Sequence, residues 1–312
     1  MTNHLFPPLA ALLVTASAGM ADVPKVMTDF APVQSLAAQV MGDLGTPAVL
    51  VERGSEPHSY QMRPSQARAL AGADLVVWVG PELTPWMERA LNGAPEATIL
   101  PLLSDPATLR RDYDEAGEHS AEEGTGEHSD GEEDHDHHGT DPHAWLDPVN
   151  AKAWVLLIRD ALVRLDPDNA ATYRTNADQA VARIEALQAD VAAELAGLSD
   201  APLIMGHDAY GYFADRFGLT IAGTIAAGDA AHAGAAHLTA LREKLRDEQI
   251  RCLFPEAGHD PKQAALLLEG TNTRLGEPVD PEGVLLEPGP GLYETLIRST
   301  AAAILSCVRA AN

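Results

Sequence analysis

The apolar positions of this chain fall into short runs separated by stretches of helical periodicity. Residues 25–28, 48–51, 74–80 and 98–101 read as four strands. The third, Asp74-Leu75-Val76-Val77-Trp78-Val79-Gly80, is apolar at successive positions, as a parallel strand buried on both faces requires. Residues 32–41 place apolar side chains at helical spacing, and residues 64–70 open a helix with Pro64 in its first turn. The plan recurs further on, with strands at 202–205, 219–222, 252–254 and 274–276 and helices around 210–217, 237–248 and 262–270. Between the two sets lies a longer helical region. Residues 149–165 form one helix, stopped by Asp166-Pro167, and a second runs from about 168 to 198. The second carries Val181, Ile184, Leu187, Val191 and Leu195 at spacings of three and four. Two sets of βα units predict an α/β protein of two lobes, each a mainly parallel sheet flanked by helices, joined by one long connecting helix. The expected divisions are 22–165 for the first lobe, 166–198 for the connecting helix and 199–312 for the second lobe.

Ahead of the first strand, residues 9–16 are a short apolar run followed by small residues, with Gly19-Met20-Ala21 as a cleavage site before Asp22. Residues 1–21 are therefore expected to be an export signal, although their start carries no Lys or Arg. No other segment reaches the ~20 apolar residues of a membrane span. The chain has a formal net charge of -25, which disfavours nucleic acid and anionic membranes as partners and favours cations. Much of that charge lies in an acidic loop, residues 112–141, which has no Lys or Arg and carries His119, His128, His135, His137 and His138. Imidazoles and carboxylates on a backbone too polar to bury are the donors that a borderline dication such as Zn²⁺ takes. The bland alternative is a solvated linker with incidental histidines. The two cysteines, Cys252 and Cys307, suggest one disulfide in an exported chain, with two buried thiols as the alternative.

In open parallel sheets, ligands bind beyond the carboxyl ends of the strands. Three histidines occupy that position: His58 after the second strand, His143 after the acidic loop, and His207 after the first strand of the second set. Asp280 follows the last strand and is a candidate fourth ligand, although an Asp before Pro is also a common turn residue. Three imidazoles and an oxygen around a tetrahedral ion suit Zn²⁺. Glu56, or a water, is an alternative for the fourth position; His259 lies near the second lobe's ligand face, and His232 lies in the segment 228–234 with no role assigned. No H-E-x-x-H or G-x-S-x-G motif is present, so no catalytic residue is assigned.

The segments Glu56-Pro57-His58-Ser59-Tyr60, Ala73-Asp74-Leu75-Val76-Val77-Trp78-Val79-Gly80, Asp141-Pro142-His143-Ala144-Trp145-Leu146, His207-Asp208-Ala209-Tyr210-Gly211-Tyr212 and Asp280-Pro281-Glu282-Gly283 carry a resemblance. Residues 24 to about 308 resemble the periplasmic zinc-binding subunits of high-affinity ABC zinc importers, the ZnuA family. The resemblance implies two α/β lobes with metal in the cleft, ligand roles for His58, His143 and His207, a Cys252–Cys307 disulfide, and an acidic His-rich loop before the second ligand. It also implies a monomer that hands Zn²⁺ to a membrane permease in the periplasm. The manganese-binding relatives usually have Glu at the third ligand position, so His207 favours Zn²⁺. The segments around Ala230 and around Pro255 to Pro261 depart from the family pattern. Two other functions compete: a three-His zinc hydrolase with an open fourth position, and a surface adhesin that holds metal structurally.

Overall fold

Both sets of strands form parallel sheets with the same strand order. In the computed structural model, which describes residues 23–113, 139–226, 234–247, 249–260 and 262–310, the first sheet comprises β1 (Val26–Thr28), β2 (Ala48–Val49), β3 (Leu75–Trp78) and β4 (Thr98–Pro101). Its order is β2-β1-β3-β4. The second comprises β5 (Leu203–Met205), β6 (Ile221–Thr224), β7 (Cys252–Leu253) and β8 (Arg274–Leu275), in the order β6-β5-β7-β8. All pairs are parallel. The chain leaves the central strand to one side and later returns on the other, so each sheet has a switch point: between β1 and β3, and between β5 and β7. Ligand crevices open at such points. The expected export signal, the five loop histidines and His232 lie outside the described residues.

The first lobe's helices are α1 (Ala31–Met41), α2 (Pro64–Ala71) and α3 (Trp86–Leu91), followed by α4 (Pro148–Leu165). Pro64 starts α2 with a φ already suited to helix, and Gln66 Oε1 accepts the Arg63 N–H at 2.7 Å. Asp147 caps α4 by accepting the Val149 N–H at 2.8 Å. The long helix α5 (Ala170–Leu195) buries Tyr173, Ala177, Ala180, Ile184, Leu187, Val191 and Leu195, one stripe at spacings of three and four. At 26 residues it is about 39 Å long. It packs on α1, on α4 and on α9 (Leu292–Ala310), so a single core runs under both sheets. The sequence pattern pointed to neither α3 nor α9. The remaining helices, α6 (Gly211–Phe217), α7 (Ala235–Asp247) and α8 (Lys262–Leu268), flank the second sheet. A disulfide joins Cys252 at the start of β7 to Cys307 on α9.

Several polar contacts fasten the two lobes near the crevice. Arg216 on α6 makes a bidentate pair with Asp147, both contacts at 2.7 Å. Trp145 is fully buried in a short 3-10 turn and donates from Nε1 to the Pro281 carbonyl at 2.7 Å. Tyr293 on α9 donates to the Trp145 carbonyl at 2.9 Å, and Tyr212 on α6 donates to the Asp141 carbonyl at 3.1 Å. These bonds fix the elements that carry the candidate ligands. Among the described residues, no helix is long and apolar enough to cross a membrane.

Candidate metal centre

His58 stands in the loop after β2. The loop is held from outside: Trp86, at the start of α3, donates Nε1–H to the Pro57 carbonyl at 2.7 Å, and its ring packs on Tyr60 at 5.6 Å. Glu56 Oε1 accepts the His58 backbone N–H at 3.2 Å. His58 Nε2 lies 3.9 Å from Glu56 Oε1 and 3.8 Å from Glu282 Oε1.

His143 follows the point where the acidic loop re-enters the fold. Asp112 and Thr140 form an antiparallel bridge there, and Tyr113 N donates to the Gly139 carbonyl at 3.1 Å. The loop therefore leaves and returns within a few residues of His143. Asp141 Oδ1 accepts from both the backbone N–H of His143 (2.9 Å) and its Nδ1 (2.8 Å). The imidazole is fully buried against Trp145, ring centroids 5.0 Å apart.

His207 follows β5, and Glu256 follows β7, the two strands that flank the second sheet's switch point. His207 Nδ1 donates to Glu256 Oε1. Gly206 makes room for this pair, since a Cβ there would stand 2.5 Å from Glu256 Cγ. Burial alone would lower the His207 pKa, but the Glu256 hydrogen bond and charge outweigh it and hold the imidazole above the usual histidine value. Burial alone would raise Glu256, but His207 holds it below the usual carboxylate range. Both shifts describe one ion pair. The exposed His259 ring adds a contact to the other Glu256 oxygen at 3.3 Å.

These elements bring His58, His143 and Glu282 together, with one donor atom from each lying within 4.8 Å of the others. His207 joins them through its Nε2, 3.3 Å from His143 Nε2. Two imidazoles come from the first lobe and one from the second. Asp280 is not part of the group of three. Its oxygens accept the Val284 and Leu285 N–H groups, each at 2.9 Å, so its carboxylate is turned into its own turn. Glu56 lies at the edge of the cluster, with burial as the main cause of its raised pKa. Sequence reasoning assigned no role to Asp141, Glu256 or Glu282. Asp141 stands two residues before His143 and could have been found from that spacing. Glu256 is 49 residues from His207 and is placed there by the pairing of β5 with β7.

Two parallel sheets of identical order, one long helix packed beneath both, and imidazoles converging from both lobes define a two-lobed binding protein of the long-helix class. The sequence profile described as "Zinc-uptake complex component A periplasmic" matches residues 26–307, and the chain belongs to this ZnuA family. It is 46% identical to the high-affinity zinc uptake system protein ZnuA of Paracoccus denitrificans, over 97% of each chain. It is 32% identical to the protein of the same name in Brucella abortus, over 91% of each. Solved structures share the fold: a solute-binding protein, FpvC, of Pseudomonas aeruginosa in complex with Mn²⁺ (TM-score 0.78, 18% identity, covering 93% of this chain and 100% of that one) and a ZnuA (TM-score 0.72, 21% identity, 91% and 99%).

Proposed function

We propose that this chain captures Zn²⁺ in the crevice between its lobes, on His58, His143 and His207, and delivers it to the permease of an ABC-type importer. One observation carries the reading: the 3.3 Å approach of His143 Nε2 to His207 Nε2 inside the fold. A carboxylate accepts and cannot donate, so Asp141 and Glu256 each fix a proton on the Nδ1 of their imidazole. In the neutral tautomers, both Nε2 lone pairs then point into one space. At that separation the two nitrogens can share a proton, as a hydrogen bond when His207 is charged, or a metal cation when both rings are neutral. Nitrogens ~2.0–2.1 Å from a tetrahedral Zn²⁺ stand about 3.3–3.4 Å apart. The carboxylate behind each imidazole also raises its basicity and sets its orientation.

An imidazole-rich set favours zinc over the harder manganese. The acidic loop, which leaves the fold beside His143, would gather Zn²⁺ weakly and raise its local concentration there. Export to the periplasm fits the description of the family, and action as a monomer that docks to a membrane permease belongs to the same reading. The hydrolase reading needs an open coordination position beside a general base. Carboxylates flanking His58 on two sides leave little room for that water, so a carrier fits better. Competition titration against a chromogenic chelator tests the proposal: the parent should take up one Zn²⁺ tightly, and His143→Ala and His207→Ala should each lose that tight binding. Equal affinity in parent and both variants would refute it.

A further inference from the structure

We infer that Glu282 is the fourth protein ligand of the captured ion, and that Asp280 shapes the turn that presents it. The inference rests on the zinc reading above and adds the donor that closes the site. Asp280 stands outside the group of converging donors, and its two oxygens accept the Val284 and Leu285 N–H groups, both at 2.9 Å. Those bonds close a tight turn over residues 280–285. Gly283 allows it with a left-handed φ of 67°, where a side chain would also press on Leu292 and Leu296 at 3.2 and 3.3 Å. Glu282 is the side chain that this turn projects into the crevice.

The turn belongs to the second lobe but is fastened to the first. Gly54 N donates to the Val284 carbonyl at 2.7 Å, and Arg53 donates to the Leu285 carbonyl from Nη2 at 2.6 Å and from Nε at 3.0 Å. Trp145 holds the Pro281 carbonyl from the other side at 2.7 Å. Glu282 is thereby held 3.8 Å from His58 Nε2 with only 6% of its surface exposed. A carboxylate buried this far carries a large desolvation cost unless a cation offsets it. Its surroundings make the cost larger, because Glu56, Glu256 and Asp280 all act on it with like charge. A dication among the three imidazoles offsets that charge. The 3.8 Å separation is slightly wider than a tetrahedral edge, so a bound ion would draw His58 and Glu282 together by about half an ångström.

Glu282 is then the hard, anionic donor of an otherwise nitrogen site. Its loss should weaken a harder ion more than zinc. The test uses the full chain with Zn²⁺, Mn²⁺ and Co²⁺ as probes, in the parent, Glu282→Gln, Glu282→Asp and Asp280→Asn. Glu282→Gln should weaken Zn²⁺ by at least about 10–100-fold, the effect of losing even an outlying partner of a ligand. It should weaken Mn²⁺ by a larger factor and shift the visible Co²⁺ absorption. Its metal-free melting temperature should stay close to the parent's, because the nearly isosteric amide leaves the turn intact. Glu282→Asp keeps the charge and should fall between the two. Asp280→Asn should lower the metal-free melting temperature through the loosened turn but keep the parent's Co²⁺ spectrum. If Glu282→Gln binds both ions like the parent, or if Asp280→Asn changes the Co²⁺ spectrum and Glu282→Gln does not, the assignment is overturned while the zinc reading stands. A parent that binds no Zn²⁺ overturns both.

Discussion

Glu256→Gln separates the charge of the His207 partner from its shape. Glutamine is nearly isosteric and can still accept the Nδ1 proton through Oε1, so the ring orientation should survive. What is lost is the charge assistance. Hydrogen bonds to charged groups contribute about 1.5–3 kcal/mol and neutral ones about 0.5–1.5, a difference near 1–1.5 kcal/mol. That corresponds to roughly a tenfold loss of Zn²⁺ affinity above the His207 pKa, where protons no longer compete for the site. The loss should depend on pH in a particular direction. Glu256 is what lifts His207 above the ordinary histidine pKa against the opposing effect of burial. In the variant, burial governs and the pKa falls. Zinc needs the neutral Nε2, so each pH unit below the His207 pKa weakens binding about tenfold. The parent meets this competition at a higher pH than the variant does. The affinity gap should therefore narrow as pH falls through the parent's raised His207 pKa. Competition titrations with a chelator calibrated at each pH measure it, and parallel curves through that pKa would refute the role given to Glu256. The metal-free proteins offer a second readout. A raised folded-state pKa on His207 contributes stability that is fully present below the unfolded value of 6.5 and lost as pH rises through the folded one. That component should be missing from the variant's melting curve.

Three further outcomes follow from other parts of the structure. Deleting residues 114–138 should lower total zinc stoichiometry but keep one tight site, because the Asp112–Thr140 bridge already brings the flanking chain together; calorimetry showing loss of the tight site would sink that division of labour. Asp29, fully buried at the first sheet's switch point, has its pKa raised by burial from 3.8 to about 7. Its contribution to stability is complete below 3.8, is lost as pH rises from there through about 7, and levels off above, an effect on the order of 4 kcal/mol, and melting of Asp29→Asn from pH 4 to 8 should lack that decline. Reducing Cys252–Cys307, which are 55 residues apart, should cost about 4 kcal/mol in urea unfolding on the chain-entropy account; an unchanged midpoint would mean that α9 is held by packing alone.

The parts of the fold legible in the sequence are those with a strong period. β3 is apolar at four successive positions and buried at all of them, and Ile184, Leu187, Val191 and Leu195 form the α5 stripe as read, whereas Val181 is only partly buried and Ala180 takes its place. Boundaries were less legible where pairing overrides propensity. β6 was expected at 219–222 and is Ile221–Thr224, because the register shifts at Leu203/Ile204 and Gly223 then stands opposite Ile204. A glycine in that place reads as a loop from sequence, yet it pairs within the sheet. The C-terminal helix α9 escaped notice although Leu292, Leu296, Ile297, Ala301, Ile304 and Val308 give it a regular buried face. Its signal was diluted by the small and polar residues between them. The imidazoles were legible because a histidine after a strand is a position in the chain, and topology converts that position into a place in the crevice. The carboxylates were not, because their roles depend on where each oxygen points. Asp280 and Glu282 are two residues apart on one turn, and sequence favours the first because it follows the last strand more closely. Only the folded turn shows that the Asp280 carboxylate binds the Val284 and Leu285 N–H groups while Glu282 is the one facing His58. The same limit holds for Glu256, whose contact with His207 exists only because β5 and β7 lie side by side and Gly206 lets the two side chains meet.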